Sequence, residues 1–168
     1  GIHGGSATQY FVGNFDGRIF TNDNQATETR WIDYGKDNYA GVTWSNIPGA
    51  DGRRIFLGWM SNWQYANVVP TEQWRSAMTI PRTLHLEETD DGLLLTSRPV
   101  KELEMIRSET YDLHPEEISG EKTLTDIPFD VSASEIQLEF TISDQVTNVG
   151  VRLSNGNGEY IDIGFEKQ

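Results

Sequence analysis

The sequence predicts an all-β protein, built as two antiparallel regions joined by a short helical connector. Three observations carry that prediction. Short apolar and aromatic runs fill the N-terminal half, with Asp-Gly dipeptides between them at Asp16, Asp51 and Asp91, the punctuation of hairpins. One stretch alone, "PVKELEMIRSE", has helical spacing. Further on, "EIQLEFTIS" alternates apolar and polar residues with the period of a strand.

In chain order, "TQYFVGNF", "YAGVTW", "RRIFLGWM", "AMTIPRTLHL" and "GLLLTSRP" read as strands, because each is rich in β-branched or aromatic residues and bounded by turn formers. Pro81 lies within the fourth run and requires an edge or a bulge, since proline gives no N–H to a ladder. The connector starts at Pro99, with Val100, Leu103 and Ile106 spaced by three along one face. Beyond it Ile136, Leu138, Phe140 and Ile142 point one way and Gln137, Glu139 and Thr141 the other. "VGVRLS" and "YIDIGFE" repeat the alternation around an "NGNG" turn. This is a second sheet with one wet face and too few strands to cover its greasy one, which needs another layer.

Composition narrows the function. Of 168 residues, 26 are acidic and 13 are Lys or Arg, a formal charge of −13. With no basic cluster to offset it, this charge repels phosphate backbones and excludes nucleic acid as the main partner. A hydrophobic fraction of 36% implies much surface for the chain length. Cysteine is absent, so disulfides, thiolate metal sites and cysteine nucleophiles are excluded, while the compartment stays open. No run is long enough to span a bilayer, so no membrane partner is expected. "GIHGGSATQY" has no initiator Met, basic region or apolar run, and the chain is expected to start inside a longer protein. Its glycines lack the Lys-Ser/Thr of a phosphate cradle and read as a turn. His3, His85 and His114 are scattered without a ligand pattern, so neither metal nor cofactor is expected.

The chemistry-bearing stretch is "IDYGKDNYAGVTW". Asp33 and Asp37 are the kind of pair that divides acid and base roles when their surroundings differ. They are equally residues of a solvated loop before the strand that opens at Tyr39. Spacing does not choose between these readings. "GWMSNWQYA" poses the same choice. Trp59 and Trp63 offer flat faces to sugar rings and Asn62 a directional hydrogen bond, or the two rings pack between strands.

Together, "GGSATQYFVGNFDGRIF", "WIDYGKDNYAGVTW" and "RRIFLGWMSNWQYANVVPTEQWRSAMTIPRTLHL" resemble glycoside hydrolase family 32, the levanases, exo-inulinases and invertases, over residues 4 to 107. The resemblance implies a five-bladed β-propeller followed by a β-sandwich. Residues 1–98 would supply the end of blade 4 and all of blade 5, residues 99–110 the linker, and residues 111–168 the first strands of the sandwich. It also implies a retaining mechanism with an Asp nucleophile in Asn-Asp-Pro, a stabilising Asp in Arg-Asp-Pro and a Glu acid/base in Glu-Cys. None of those motifs occurs in this chain, so it contributes no catalytic residue and is expected to be inactive alone.

By the same resemblance Asp33 lines the floor of the active-site funnel as a support residue, positioning a fructosyl hydroxyl or tuning the acid/base. Asp37 and Tyr39 follow it in the motif, Tyr39 being also a core position. Trp63, in the loop after its strand, is the aromatic expected to face a sugar, with Trp59, Asn62 and Gln64 beside it, and packing at the rim is the alternative. Trp74, Arg75 and Arg82 tie the blade together. The implied function is hydrolysis of β-fructofuranosides (levan, inulin or sucrose) by the parent protein, outside the cell or in the periplasm. The alternative is a noncatalytic carbohydrate-binding or structural β module. Open edges and an uncovered sheet face predict a homodimer or strand exchange.

Overall fold

The structure, a computed structural model, describes residues 6–167. All its strand pairings are antiparallel. The chain divides into two compact units, the first ending at Ser108 and the second beginning at Glu109. His3 and most of the N-terminal glycine-rich turn lie outside the described residues.

The first unit begins with two small ladders. β1 (Gln9–Tyr10) and β2 (Gly13–Phe15) come from the single run expected over "TQYFVGNF". The run divides because its halves take different partners: β2 pairs β3 (Phe20–Asn22), and β1 pairs β4 (Arg30–Trp31), with Val12 buried between them. The Asp16 carboxylate closes the β2–β3 turn by accepting from Arg18 N and Ile19 N at 2.7 Å each, which lowers its pKa.

A five-stranded sheet follows. Its path runs β5 (Tyr39–Thr43), β6 (Arg54–Met60), β8 (Arg82–Thr89) and β9 (Gly92–Pro99), with β7 (Ala77–Met78) also paired to β6. β6 pairs β8 through Arg54–Phe56 and β7 through Trp59–Met60. The break between β7 and β8 falls at Thr79–Pro81, where proline cannot join a ladder. Gly17, Gly52 and Gly92, the glycines of the three Asp-Gly dipeptides, have φ of 97°, 67° and 87°, the left-handed conformation that glycine adopts without strain. The core is thin: Val12, Ile55, Phe56, Ala66 and Val100 are its buried hydrophobic residues among those described.

The helical connector is a 3-10 helix over Lys101–Ile106, shorter than the span expected. Pro99 closes β9 instead of opening the helix. Apolar residues spaced by three fit three residues per turn rather than an α-helix. The common face does not hold either, since Val100 is buried and Ile106 is 79% exposed. Arg53 clamps the helix start to the β5–β6 loop, donating to Asp51 Oδ1 at 2.6 Å and to Glu102 Oε1 at 2.8 Å. The guanidinium holds the Asp51 carboxyl down at about 2 and lowers Glu102 as well.

The second unit contains one hairpin, β10 (Asn148–Ser154) with β11 (Tyr160–Glu166). Val149↔Phe165, Val151↔Ile163 and Leu153↔Ile161 are opposed in register, so one face is wholly apolar. On the other, Arg152 pairs with Asp162 at 2.7 Å and lies over the Tyr160 ring at 4.3 Å. Gly158, at φ 79°, completes the "NGNG" turn. The strand expected at "EIQLEFTIS" does not form: residues 134–143 carry no regular structure. Alternation qualifies a segment for a sheet, but a strand also needs a neighbour for its N–H and C=O groups. Ile136 and Leu138 line a cleft with Val151, Leu153 and Ile163 without joining their ladder.

Candidate functional site

Two loops at one end of the β5–β6 pair hold most of the residues singled out from the sequence. Residues 33–38 lead into β5 and residues 61–66 leave β6. The first loop folds around the Asp33 carboxylate, where Oδ1 accepts from Gly35 N at 2.9 Å and Oδ2 from the Asn38 amide at 2.5 Å. Asn38 is buried in the left-handed region, φ 76°, which asparagine tolerates better than most residues. Its backbone carbonyl accepts from Thr8 Oγ1 at 2.9 Å. Gly58 on β6 makes room for it, since a Cβ there would overlap the Asn38 amide oxygen.

The second loop is a single helical turn capped by Asn62. The Asn62 carbonyl accepts from Tyr65 N at 3.1 Å and Ala66 N at 2.8 Å, while its side-chain Oδ1 accepts from Gln64 N at 3.0 Å. This is how an asparagine starts a helical turn. Its Nδ2 points the other way and donates to the Lys36 carbonyl at 2.8 Å. Asn62 is 0% exposed. Beside it Trp63 N donates to the buried Ser6 hydroxyl at 3.2 Å.

A second tie runs parallel to the first. The Tyr65 hydroxyl donates to Asp37 Oδ1, and Lys36 Nζ lies 5.7 Å from the centre of the Tyr65 ring, within cation–π range. The bond to the Asp37 carboxylate pushes the Tyr65 phenol up to about 12, because ionising it would place two negative charges together. Asp33 and Asp37 are thus each anchored by neutral donors of their own.

Each sequence-predicted site residue has a definite place. Asp33, Asp37, Tyr39 and Trp59 are half-buried, and Tyr39 faces Trp59 across the β5–β6 ladder. Trp63 is 63% exposed, its ring meeting Trp59 edge to face with centroids 5.1 Å apart. Asn62 belongs to the same cluster but has no exposed surface. Asn38, Tyr65, Ser6 and Thr8 were not singled out. For Asn38 the signal was present, since Asp-Asn just before a strand marks a turn residue with positive φ. Ser6 and Thr8 carry no local signal, because their partners lie far along the chain.

Chemically, the cluster joins a partly accessible carboxylate to an exposed aromatic face. Each Asp33 oxygen accepts one hydrogen bond, which leaves a lone pair on each for an incoming hydroxyl. Among the described residues no group of three or more His, Cys, Asp or Glu is placed to hold a metal ion, and no helix is long and apolar enough to cross a membrane.

Residues 1–99 match the family model described as the glycosyl hydrolases family 32 N-terminal domain. The chain is 43% identical over 168 residues to a levanase of Bacillus subtilis, covering 99% of this chain and 25% of that protein. It is 32% identical over 170 residues to an extracellular exo-inulinase of Meyerozyma guilliermondii, covering 97% of this chain and 32% of the relative. Among solved structures, exo-inulinase from Aspergillus awamori superposes with a TM-score of 0.50 at 39% identity, over 55% of this chain and 19% of that one. The chain therefore spans between 25% and 32% of the length of these two curated relatives.

Proposed function

The chain belongs to glycosyl hydrolase family 32, and on that premise we propose that it is the C-terminal part of a retaining enzyme that hydrolyses β-fructofuranosides such as levan, inulin or sucrose. The observation that carries the reading is the joined pair of loops, which sets the half-buried Asp33 carboxylate and the exposed Trp63 ring on segments tied by the Asn62–Lys36 bond. A carboxylate that accepts hydroxyls beside an aromatic face suits a sugar ring. In this reading Asp33 and Trp63 touch substrate, with Trp59, Tyr39 and Asp37 behind them.

The nucleophile and the acid/base come from elsewhere in the longer protein, since the motifs that carry them in the family do not occur here. Residues 1–98 form the end of the propeller, 99–110 the connector and 111–168 the opening of the sandwich. The enzyme works outside the cell or in the periplasm, because polymeric fructans do not cross membranes, and one relative is named extracellular. Produced alone, this stretch is inactive and self-associates as a dimer or by strand exchange through its exposed edges; a monodisperse monomer overturns the latter.

The test is fructose release from levan, inulin and sucrose by this stretch and by the longer protein. Release by the longer protein alone is expected, with Trp63→Ala lowering kcat/KM about tenfold, the worth of one good aromatic contact. Turnover by the stretch alone would make Asp33 and Asp37 a catalytic pair. No turnover by either removes the proposed activity.

A further inference from the structure

We propose that Asn62 is a positioning residue, a buried strut that sets the Asp33–Lys36 loop without touching substrate itself. The proposal rests on the reading of this cluster as a fructoside site. Three observations carry it. Asn62 is fully buried, so a contact with sugar is sterically closed to it. Its two amide atoms serve opposite loops: Oδ1 caps its own turn at Gln64 N, and Nδ2 crosses to the Lys36 carbonyl. The loop it holds also carries the Asp33 carboxylate, which organises that loop from within through Gly35 and Asn38.

This division of labour explains why the position requires an asparagine. Serine or aspartate would cap the turn equally well, but neither reaches the Lys36 carbonyl with an N–H. An aspartate would also face that carbonyl oxygen with a second acceptor in a buried place. Tyr65 strengthens the arrangement from one turn later, by donating to Asp37 while its ring lies under the Lys36 ammonium. The segment 62–65 thus grips 36–37 at two points, and the orientation of Asp33 follows from that grip.

Asn62→Asp tests this, because it keeps the shape and the cap and replaces the crossing donor with an acceptor that repels the Lys36 carbonyl. Ser61→Ala is the control. Ser61 is buried in the same segment, and its hydroxyl has no hydrogen-bond partner. In this chain, amide exchange in N62D should rise across residues 33–38 while β6 and β8 keep their protection, and S61A should leave both unchanged. In the longer protein, N62D should lower kcat/KM for sucrose on the order of 10- to 100-fold, mainly through KM, as misplacing a binding group does. S61A should keep the parent value. If N62D does not fold, Asn62→Ser serves as the second variant, keeping the cap and losing the crossing N–H. Unchanged exchange in 33–38 overturns the strut, and loosened exchange with unchanged kcat/KM overturns its positioning role. A longer protein inert toward every fructoside removes the proposed activity instead, and the exchange result then judges the strut alone.

Discussion

The two units use similar strand patterns to different ends. In the first, β6 runs between β5 and β8 and buries Ile55 and Phe56 at 4% exposure each. In the second, β10 and β11 oppose apolar residue to apolar residue along one face, at Val149↔Phe165, Val151↔Ile163 and Leu153↔Ile161, yet no described residue from Glu109 onward is buried. A correct hydrophobic pattern and a correct register make a face, and a face becomes a core only when another layer covers it. The buried polar residues that tie the site loops, Ser6, Asn38 and Asn62, lie in the unit that buries Ile55 and Phe56.

The largest expected effect breaks this contrast directly. Phe56→Ala should destabilise the first unit by about 3–5 kcal/mol, the usual range for removing a buried aromatic ring. All five tryptophans, Trp31, Trp44, Trp59, Trp63 and Trp74, lie in that unit, so denaturant unfolding followed by tryptophan fluorescence reads it selectively. Ile163→Ala, on the open hairpin face, should change the stability of its own unit by no more than about 0.5 kcal/mol, as exposed substitutions do, read by amide exchange in β10 and β11. An I163A cost as large as that of F56A would mean that the hairpin face is covered in solution, and the contrast would collapse.

What was legible in the sequence follows the same line. The Asp-Gly turns, the strand at 54–60 and the hairpin around "NGNG" were readable because each depends on local residues: a left-handed glycine, a run of β-formers, a period of two. The strand expected at "EIQLEFTIS" was not obtained, because strand formation depends on a neighbour and no local pattern states whether one is present. "TQYFVGNF" divided for a related reason, its halves being claimed by strands further along the chain. In the site, Asp33, Trp63 and Asn62 stood out by residue type and by a family resemblance. That Asn62 is a buried brace, and that Tyr65 holds Asp37, depends on two loops 28 residues apart in sequence meeting in space, which no short window contains.

A smaller effect sharpens the contrast at glycine. Gly58→Ala drives a methyl group into the Asn38 amide beneath the site loop and should cost about 1–3 kcal/mol as overpacking. It should also loosen Asp33, whose Oδ2 depends on that amide. Gly156→Ala, in the hairpin turn, meets nothing within 4 Å and should be nearly silent. Paired thermal melts of the two variants read the difference, and equal Tm values for both would show that the packing of the first unit is looser than its contacts indicate.

The smallest effect is a titration confined to the first unit. The phenol of Tyr65 is raised to about 12 from its ordinary value near 10 by the bond it donates to Asp37. A group whose pKa rises on folding stabilises the fold fully below its unfolded value. That contribution is therefore complete below about pH 10 and fades as pH climbs toward about 12. In tyrosinate absorbance the native protein should show a late step that Tyr65→Phe removes, and Asp37→Asn should move the same step to lower pH by taking away the carboxylate's charge while leaving an acceptor oxygen. Loss of the Asp37–Tyr65 tie before the ladders melt would place the site loops among the first parts of the unit to open. An unchanged late step in Y65F would assign it to another tyrosine and leave Asp37 without the partner that separates it from Asp33.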